Sequence, residues 1–246
     1  MGTARALHPE RGTGTAACAV TDELSYSVRR QFVDEFYQRH VAGLEAGASV
    51  LDIGGHKSRK RGRFDIGTLP VRVTYANLSA ATEPDIVCDA CSVPRESASF
   101  DAVILAEVVE HLPDPAAALR EAARLLRRGG VLLATAPFLF RVHPDPMDFG
   151  RYAPDWWEAR FAELGFESRV IEQQGMMFSV LAEFLRGWAY HLEQEQRFWP
   201  GARQMAIDGV KWARRQAAEW ESRAEVQQNS YYASYTTGYG VKAVRG

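Results

Sequence analysis

Two short stretches of this sequence concentrate side chains that can accept a proton or bind a cation. In the first, Glu107, Glu110 and His111 follow an apolar run, at a spacing that would place all three on one helix face. Two carboxylates and an imidazole on one face could hold a divalent cation. In the second, His143 begins the proline-flanked segment 143–146, whose backbone is restricted. Because imidazole titrates near neutral pH, His143 is our first candidate for a general base and His111 is the second.

Both stretches also have simpler interpretations. His143 and Asp148 could only brace a loop, with Arg151 as the ion-pair partner of that carboxylate. In the other stretch, Glu107 could contact a cofactor while its neighbours support the start of a helix. The sequence therefore predicts no bound metal, although it leaves the question open.

A third stretch, residues 50–55, reads Val-Leu-Asp-Ile-Gly-Gly and is typical of a buried parallel strand that turns sharply beneath a ligand. Glycine permits the positive φ of such a turn and lets backbone N–H groups approach a ligand closely. Asp52, Gly54 and Gly55 are therefore candidate ligand-binding residues. The basic loop that follows, residues 56–63, is either solvated or a clamp for a phosphate or carboxylate.

The elements that must position these residues alternate between strand and helix patterns. This alternation predicts an α/β fold with a Rossmann-like, mainly parallel seven-stranded sheet and right-handed crossovers. We expect the last strand, within residues 235–244, to be antiparallel. The other predicted strands are 49–53, 71–76, 85–88, 102–106, 131–135 and 166–171, and the predicted helices are 22–44, 115–128 and 154–164.

The pattern also predicts a domain organisation. Residues 1–20 lack periodicity and should form a disordered tail, whereas 21–175 should form the core with its N-terminal helix. Residues 176–228 are helical and rich in aromatic residues, which predicts a helical cap or C-terminal insertion. Residues 229–246 should return to the core as its closing strand.

The composition of the sequence limits the binding partners and the cellular compartment that we expect for this protein. The 246 residues carry a formal net charge of -2, which gives no general attraction to nucleic acid. The three cysteines suit a reducing compartment, and Cys88 and Cys91 lack the second pair that a zinc site needs. With no secretion signal or membrane span recognised, we expect a soluble, cytoplasmic protein. Trp212 and Trp220 would suit a homodimer interface.

Ligands of parallel sheets bind beyond the carboxyl ends of the strands. That rule brings together the segments that directly follow the predicted strands. They include Gly54-Gly55, Asn77-Leu78, Asp89-Ala90, 107–111 and 137–152. Glycine backbone, an amide for a ribose diol and a carboxylate for an adenine amino group suit an adenosine-containing ligand.

The order of these blocks resembles the class I S-adenosylmethionine-dependent methyltransferases of the type-11 group. The similarity covers about residues 49–171, in the blocks VLDIGG, DIVCDACSVP, SFDAVILAEVVEHLPDP and LRRGGVLLATAPF. Residues 137–152 also resemble a subset associated with glycan or natural-product pathways. Runs similar to 107–111 bind magnesium in ubiquinone-pathway O-methyltransferases and in methyltransferases of small-RNA 3′ ends, but are common elsewhere in the group without a metal.

The resemblance implies that S-adenosyl-L-methionine is the cofactor. It assigns the methionine part to Asp52 and the two glycines, the ribose to Asn77 and the adenine to Asp89. Two features depart from the family, because Asn77 stands where an acid is usual and His56 replaces a third glycine. The cofactor-binding residues expected in full are Asp52, Gly54, Gly55, Asn77, Leu78, Asp89, Ala90 and Glu107.

We therefore expect a methyltransferase that O-methylates a small hydroxylated metabolite, such as a sugar or natural-product intermediate, with His143 as base. One alternative is a metal-assisted RNA 2′-O-methyltransferase using Glu107, Glu110 and His111, against which the lack of a long basic face argues. A second alternative is a non-catalytic cofactor-binding or interaction module, suggested by the missing glycine and by Asn77.

Overall fold

Seven strands form one sheet with the order β3-β2-β1-β4-β5-β7-β6. The structure, a computed structural model, describes residues 22–58, 61–199 and 201–246, so the predicted tail at 1–20 lies outside the described residues. Strands β1 to β5 pair in parallel, whereas β7 is antiparallel to both β5 and β6. The strands are β1 Ser49–Ile53, β2 Arg72–Asn77, β3 Ile86–Val87, β4 Phe100–Ala106, β5 Leu126–Pro137, β6 Phe166–Gln174 and β7 Gly238–Arg245.

The predicted α/β class and the antiparallel closing strand are confirmed, and β1 has the predicted bounds. The helices cover both the segments between strands and the long segment before β7. They are α1 Asp22–Ser25, α2 Val28–Val41, α3 Pro115–Leu125, α4 Pro154–Glu163, α5 Met177–Gln194, α6 Ala202–Glu221, α7 Ala224–Gln227 and α8 Ser230–Ala233.

The prediction of one helix from residue 22 to residue 44 is wrong. The chain breaks at Ser27, whose extended backbone and side chain cap α2 by accepting a hydrogen bond from the Arg30 N–H at 2.9 Å. An N-cap serine stabilises a helix start at its own position, and here it outweighs the continuous apolar periodicity. Helix α2 ends at Val41, three residues before the predicted end at residue 44.

The prediction that the third helix runs to residue 128 is also wrong, because α3 ends at Leu125. Leu126 instead pairs with Phe100 at the start of β5. The Arg127 guanidinium holds this extended segment against the neighbouring chain, at 2.6 Å from Asp101 and 3.2 Å from the Ser99 carbonyl. Strand pairing and an ion pair therefore override the helix propensity of these residues.

The strand order reverses direction between β1 and β4, which is where open α/β sheets bind ligands. These two strands pair from Val50 with Ala102 to Ile53 with Leu105, so Gly54 and Glu107 emerge side by side at their carboxyl ends. The sheet core beneath is formed by fully buried residues such as Leu51, Leu105 and Leu132. The site thus lies directly above the buried core of the sheet.

Among the described residues between β1 and β2, the only helical element is a 3-10 turn at Ile66–Thr68. The described residues of 56–63 form a loop, as predicted from the sequence. The cations of this loop that are described are held by carboxylates. Lys57 lies 2.5 Å from Asp85, Arg61 pairs with Asp145, and Arg63 pairs with Asp22 and stacks on Tyr26. Arg59 and Lys60 lie outside the described residues.

Helices α5 and α6 pack against each other and against α1, around Leu24, Ala189, Ile207 and Val210. Phe178 faces Trp220 and Tyr232 with ring centroids 5.5 Å away in each case. Among the described residues, we find no helix with both the length and the apolar character that a membrane span requires.

Candidate active site

A cavity of about 610 Å³ opens at the carboxyl ends of β1, β2 and β4. That volume lies in the range of small-molecule sites. It brings together every residue that we predicted to bind the cofactor, together with His111, whereas His143 is absent from the described lining. The predicted residues in its wall are Asp52, Gly54, Gly55, Asn77, Leu78, Asp89, Ala90 and Glu107.

Both glycines after β1 are required by their surroundings. Gly54 has a φ of +82°, and a Cβ there would lie 2.5 Å from the Val108 Cγ2 atom. At Gly55 a Cβ would collide with the carboxylate of Asp52. The turn therefore holds the nearly buried Asp52 side chain against bare backbone, and this arrangement lines the floor of the cavity.

Asn77 and Asp89, the residues predicted to contact ribose and adenine, are both oriented by short-range hydrogen bonds. The Asn77 amide donates to the Gly55 carbonyl at 3.4 Å, while its Oδ1 accepts from the Ser79 N–H at 3.0 Å. The Asp89 Oδ1 accepts from the Cys91 N–H at 2.8 Å. Each side-chain oxygen can accept a further hydrogen bond, so the contacts predicted for a bound adenosine are stereochemically available.

The same region contains the cysteine pair of the sequence, Cys88 and Cys91. Cys88 and Cys91 are free thiols, and burial raises the pKa of Cys91 to about 11. A thiol with a raised pKa stays protonated and is a poor nucleophile or metal ligand.

Glu107 lies at the end of β4 and is held by Arg29 of α2. The Arg29 Nη2 and Nε atoms lie 2.5 Å and 3.0 Å from the two Glu107 carboxylate oxygens, and Arg29 also donates to the Gln174 amide oxygen. Burial raises the pKa of Glu107, but the adjacent Arg29 charge outweighs it and holds that pKa below its usual value. Glu107 is therefore an ionised carboxylate at the cavity wall.

Glu110, in a 3-10 turn at Val109–His111, has a completely buried side chain. Neither of its carboxylate oxygens has a hydrogen-bond partner among the described residues. The nearest nitrogens are the Nε2 atoms of His111 and His143, at 3.6 Å and 3.7 Å from Oε1. Burial raises the pKa of Glu110.

His111 and His143 adjoin each other, with ring centroids 5.1 Å apart. The His111 Nδ1 lies 2.6 Å from the Met147 carbonyl, and the His143 Nδ1 lies 3.0 Å from the Arg141 carbonyl. A carbonyl only accepts, so each Nδ1 carries the hydrogen and each Nε2 faces Glu110 with a lone pair when the ring is neutral. The interaction with the Glu110 carboxyl raises the pKa of His143.

The bracing predicted for the His143 loop is present. Asp148 accepts from the His143 backbone N–H at 2.9 Å and from the Arg151 Nη2 atom at 2.9 Å. The Arg151 interaction holds the pKa of Asp148 far below its usual value. The loop is tied to the 3-10 turn as well, because the Phe149 N–H donates to the Glu110 carbonyl at 2.7 Å. His143 is thus both part of the braced loop and close to Glu110.

Helix α2 contributes to the wall of the cavity, and the sequence patterns did not predict this, because an amphipathic helix carries no binding motif. Met147 and Phe149 also line the wall, and they lie in segment 137–152, which was expected at this edge of the sheet. A polar residue on the apolar face of α2 was the available signal, since Asp34 is buried and accepts from the Tyr26 hydroxyl at 2.8 Å. These wall residues include Arg30, Asp34, Tyr37, Phe64, Met147 and Phe149.

Residues 30–134 match the family described as a methyltransferase domain, Methyltransf_11. Residues 30–134 therefore form a class I S-adenosylmethionine-dependent methyltransferase domain. The matched range includes β1 to β4 and ends within β5, and it contains all eight predicted cofactor contacts. The match therefore supports S-adenosylmethionine as the cofactor, and the matched range supplies most of the strand ends around the cavity.

Curated relatives match over part of their length. The ubiquinone biosynthesis O-methyltransferase of Paracidovorax citrulli is 33% identical over 97 residues, which are 37% of this chain and 41% of the relative. The protein of the same name from Xanthomonas oryzae pv. oryzae is 36% identical over 100 residues, or 35% of this chain and 42% of the relative. The chain therefore matches less than half the length of these relatives.

Solved structures share the fold at low sequence identity. The [4+2]-cyclase SpnF aligns with a TM-score of 0.57 and 19% identity, covering 88% of this chain and 81% of that chain. A Haemonchus contortus phosphoethanolamine N-methyltransferase 2 in complex with S-adenosyl-L-methionine aligns with a TM-score of 0.54 and 18% identity, covering 87% and 52%. Both comparisons concern the fold alone.

Proposed function

We propose that this protein transfers the methyl group of S-adenosylmethionine to a hydroxyl group of a small metabolite. The observation that carries the proposal is a cavity that is lined both by the eight predicted cofactor residues and by apolar and aromatic side chains. The predicted cofactor residues offer polar groups suited to an adenosine and an amino acid, while Phe64, Met147 and Phe149 offer apolar surface to a second, less polar molecule. The relatives named as O-methyltransferases support oxygen as the acceptor atom.

The protein's part in such a reaction is mainly positioning, because the sulfonium supplies the reactive methyl group. Asp52 and the Gly54-Gly55 backbone would hold the methionine part, while Asn77, Leu78, Asp89 and Ala90 would hold the nucleoside. Holding the acceptor in line with the methyl–sulfur bond removes the entropy cost of a bimolecular encounter.

The acceptor hydroxyl must also lose its proton. His111 reaches the cavity wall and His143 adjoins it from behind, so this imidazole pair is the route by which the proton would leave. Positioned acid–base groups typically contribute about 10²- to 10⁴-fold in rate. Glu107 is unsuited to this task, because Arg29 occupies both of its oxygens and stabilises the charged form.

A cofactor-binding experiment tests the first half of the proposal. Isothermal titration calorimetry with S-adenosylmethionine should give one site per chain, and Asp89→Ala should weaken it at least about 10-fold through loss of the adenine contact. Asp208→Asn is the matched control, since Asp208 is exposed on α6 and contacts Gln204. The absence of binding at millimolar cofactor would reject the proposed function.

Methyl transfer tests the second half. With isotopically labelled S-adenosylmethionine, label should enter the small-molecule fraction of a metabolite extract and leave purified RNA unlabelled. Transfer to RNA instead would favour the RNA 2′-O-methyltransferase, and binding without transfer to either would favour a non-catalytic module.

We also propose that the protein is cytoplasmic and that residues 176–228 form a cap. Trp212 and Trp220 are 59% and 37% exposed, and we propose that they support a homodimer.

A further inference from the structure

We propose that Glu110, His111 and His143 bind one divalent transition-metal ion at the edge of the cavity. One donor atom from each residue lies within 4.8 Å of the other two. The set differs from the one that the sequence suggested, because His143 joins it from a loop 32 residues away and Glu107 is engaged by Arg29. This inference deepens the proposed function and rests on it for its catalytic part.

The donor distances are close to those of a metal site. The Nε2 atoms of His111 and His143 lie 3.6 Å and 3.7 Å from the Glu110 Oε1 atom, which is too far for a hydrogen bond. Ligand atoms that each lie about 2.0–2.2 Å from a tetrahedral ion are separated by roughly 3.3–3.6 Å. The two distances from Glu110 to the imidazoles are therefore within a few tenths of an ångström of those in a metal site, and the whole donor set lies within 4.8 Å.

The two imidazoles are already fixed in the form that binds a metal. Each Nδ1 is hydrogen-bonded to a backbone carbonyl, Met147 for His111 and Arg141 for His143, which leaves each Nε2 lone pair directed at the shared centre. Metal-bound histidines almost always donate their second ring N–H to a carbonyl or carboxylate in this way. Asp148 adds a carboxylate oxygen 3.3 Å from the His143 Nδ1.

The buried Glu110 carboxyl also indicates a bound cation, independently of the donor distances. Its side chain is completely buried and neither oxygen has a hydrogen-bond partner in the described part of the chain. An unsatisfied polar group in the interior costs about 1–3 kcal/mol, and an unpaired charge costs more. A cation held between Glu110 and two imidazoles would satisfy the carboxylate without any rearrangement of the backbone.

The donor set selects the class of metal. Two imidazole nitrogens and one carboxylate oxygen suit Zn²⁺, Co²⁺, Mn²⁺ or Fe²⁺, whereas Mg²⁺ and Ca²⁺ prefer oxygen ligands throughout. Three protein ligands leave coordination positions free for substrate. Since His111 lines the cavity, an ion bound to it would lie at the edge of the cavity, within reach of a substrate.

In the proposed reaction, the metal would bind the acceptor hydroxyl and lower its pKa. The hydroxyl proton passes to solvent, and the resulting oxygen forms a bond to the methyl carbon of the cofactor. The carbon–sulfur bond breaks with its electron pair on sulfur, which yields the methyl ether and the neutral thioether. His111 and His143 would then act as metal ligands, and the bound metal, rather than an imidazole base, would favour loss of the hydroxyl proton.

Metal binding can be measured without any turnover. Full-length protein freed of any affinity tag is dialysed against a chelator and titrated with Zn²⁺, Co²⁺, Mn²⁺ and Mg²⁺ separately, by calorimetry and by the visible absorption of bound Co²⁺. We expect one transition-metal ion per chain and at least about 10-fold weaker Mg²⁺ binding. Glu110→Gln, His111→Ala and His143→Ala should each weaken the transition-metal site by about 100-fold or more.

Two further variants make the test specific. His191→Ala removes an exposed histidine of α5 that pairs with Glu195 at 3.3 Å, and it should bind metal as the wild type does. Glu107→Gln should retain metal affinity if Arg29 occupies that side chain, whereas a loss equal to that of Glu110→Gln would overturn the ligand set. Circular dichroism and thermal melting establish that each variant is folded.

The outcomes separate this inference from the proposed function. Cofactor binding with methyl transfer that survives chelation, in a protein that binds no transition metal, rejects the metal site and leaves the methyltransferase intact. Metal binding that depends on the three residues, in a protein that binds no cofactor, supports the site and rejects the proposed function. Unchanged metal affinity in His143→Ala would also reject the site.

Discussion

Arg29 and Glu107 form a two-pronged ion pair that joins α2 to the end of β4. The side chains are 3% and 9% exposed, so the pair is almost fully shielded from water. Glu107 also has a φ of 55°, in the left-handed region that side chains rarely adopt, and its N–H donates to the Thr135 carbonyl at 3.0 Å. Such a backbone persists only where its surroundings hold it, and here Glu107 is held by Arg29 and by the Thr135 carbonyl.

Removing one partner of this pair should therefore destabilise the protein strongly. We expect Arg29→Met to lower the free energy of unfolding by about 3–5 kcal/mol, because it leaves Glu107 buried and charged without a counterion. Urea denaturation followed by circular dichroism measures this change. Arg39→Met is the matched control in the same helix, since Arg39 is 55% exposed and its pair with Glu172 should be worth less than about 1 kcal/mol.

The double variant Arg29→Met/Glu107→Gln provides the second arm. It should be more stable than the sum of the single effects indicates, with a coupling of about 1–3 kcal/mol, because the two residues contact each other directly. Additive single effects would show that Arg29 acts through Gln174 or through packing alone.

The relation between Arg29 and Glu107 also shows where sequence patterns stop being informative. Strand β1 was predictable residue by residue because its apolar run, its acid and its glycines all indicate one local structure. The end of α3 was not, because only pairing with Phe100 and the Arg127–Asp101 contact make the next residues extended. Local sequence patterns predict the secondary structure that neighbouring residues favour. They carry no information on which distant segment will pair with those residues and change that structure.

The same distinction applies within the candidate site. Residues that follow strands converge by a rule of the fold, so the glycine turn, Asn77 and Asp89 could be placed on one cavity in advance. His143 could be selected for its chemistry, but its position beside Glu110 depends on the path of the segment between β5 and α4. The contribution of α2 to the wall was hidden, because an amphipathic helix has the same sequence pattern whether it covers a core or a ligand.

Asp101 allows a test of stability against pH at a place far from the cavity. Its carboxylate accepts from the Ser49 N–H at 2.7 Å and lies 2.6 Å from Arg127, and the Ser49 backbone hydrogen bond in particular holds its pKa below the usual value. A lowered folded-state pKa means that the stabilisation is present above the unfolded pKa of about 4 and is lost as the pH falls through the folded value.

Asp101→Asn should accordingly lower stability by about 1 kcal/mol at pH 7, at the low end for hydrogen bonds to a charge because the side chain is 34% exposed. The difference from wild type should shrink between about pH 5 and pH 2. Chemical denaturation at several pH values measures it, with Asp208→Asn as an exposed control. A difference that stays constant with pH would mean that the charge of Asp101 is not what stabilises β1.

Phe149 tests the assignment of the outer wall to the methyl acceptor. The residue lines the cavity and is 50% exposed, as expected for an aromatic side chain that a bound ligand would cover. Phe149→Ala should raise the KM for the acceptor about 10-fold and leave the Kd for S-adenosylmethionine unchanged. Phe184→Ala is the control, because Phe184 is 55% exposed on α5 outside the cavity. Equal losses of acceptor and cofactor binding in Phe149→Ala would place this residue in the cofactor half.

The glycine turn after β1 gives the sharpest test of cofactor binding, because one methyl group should act differently at two positions. Gly55→Ala places a Cβ against the Asp52 carboxylate and should weaken S-adenosylmethionine at least about 10-fold, measured by calorimetry. Gly187→Ala adds the same group within α5, where no atom lies within 4 Å of the new Cβ. It should leave cofactor affinity unchanged and raise the free energy of unfolding by about 0.5–1 kcal/mol, since alanine favours a helix over glycine. If Gly55→Ala bound the cofactor as tightly as Gly187→Ala, the bare backbone at this turn would not be the seat of the cofactor.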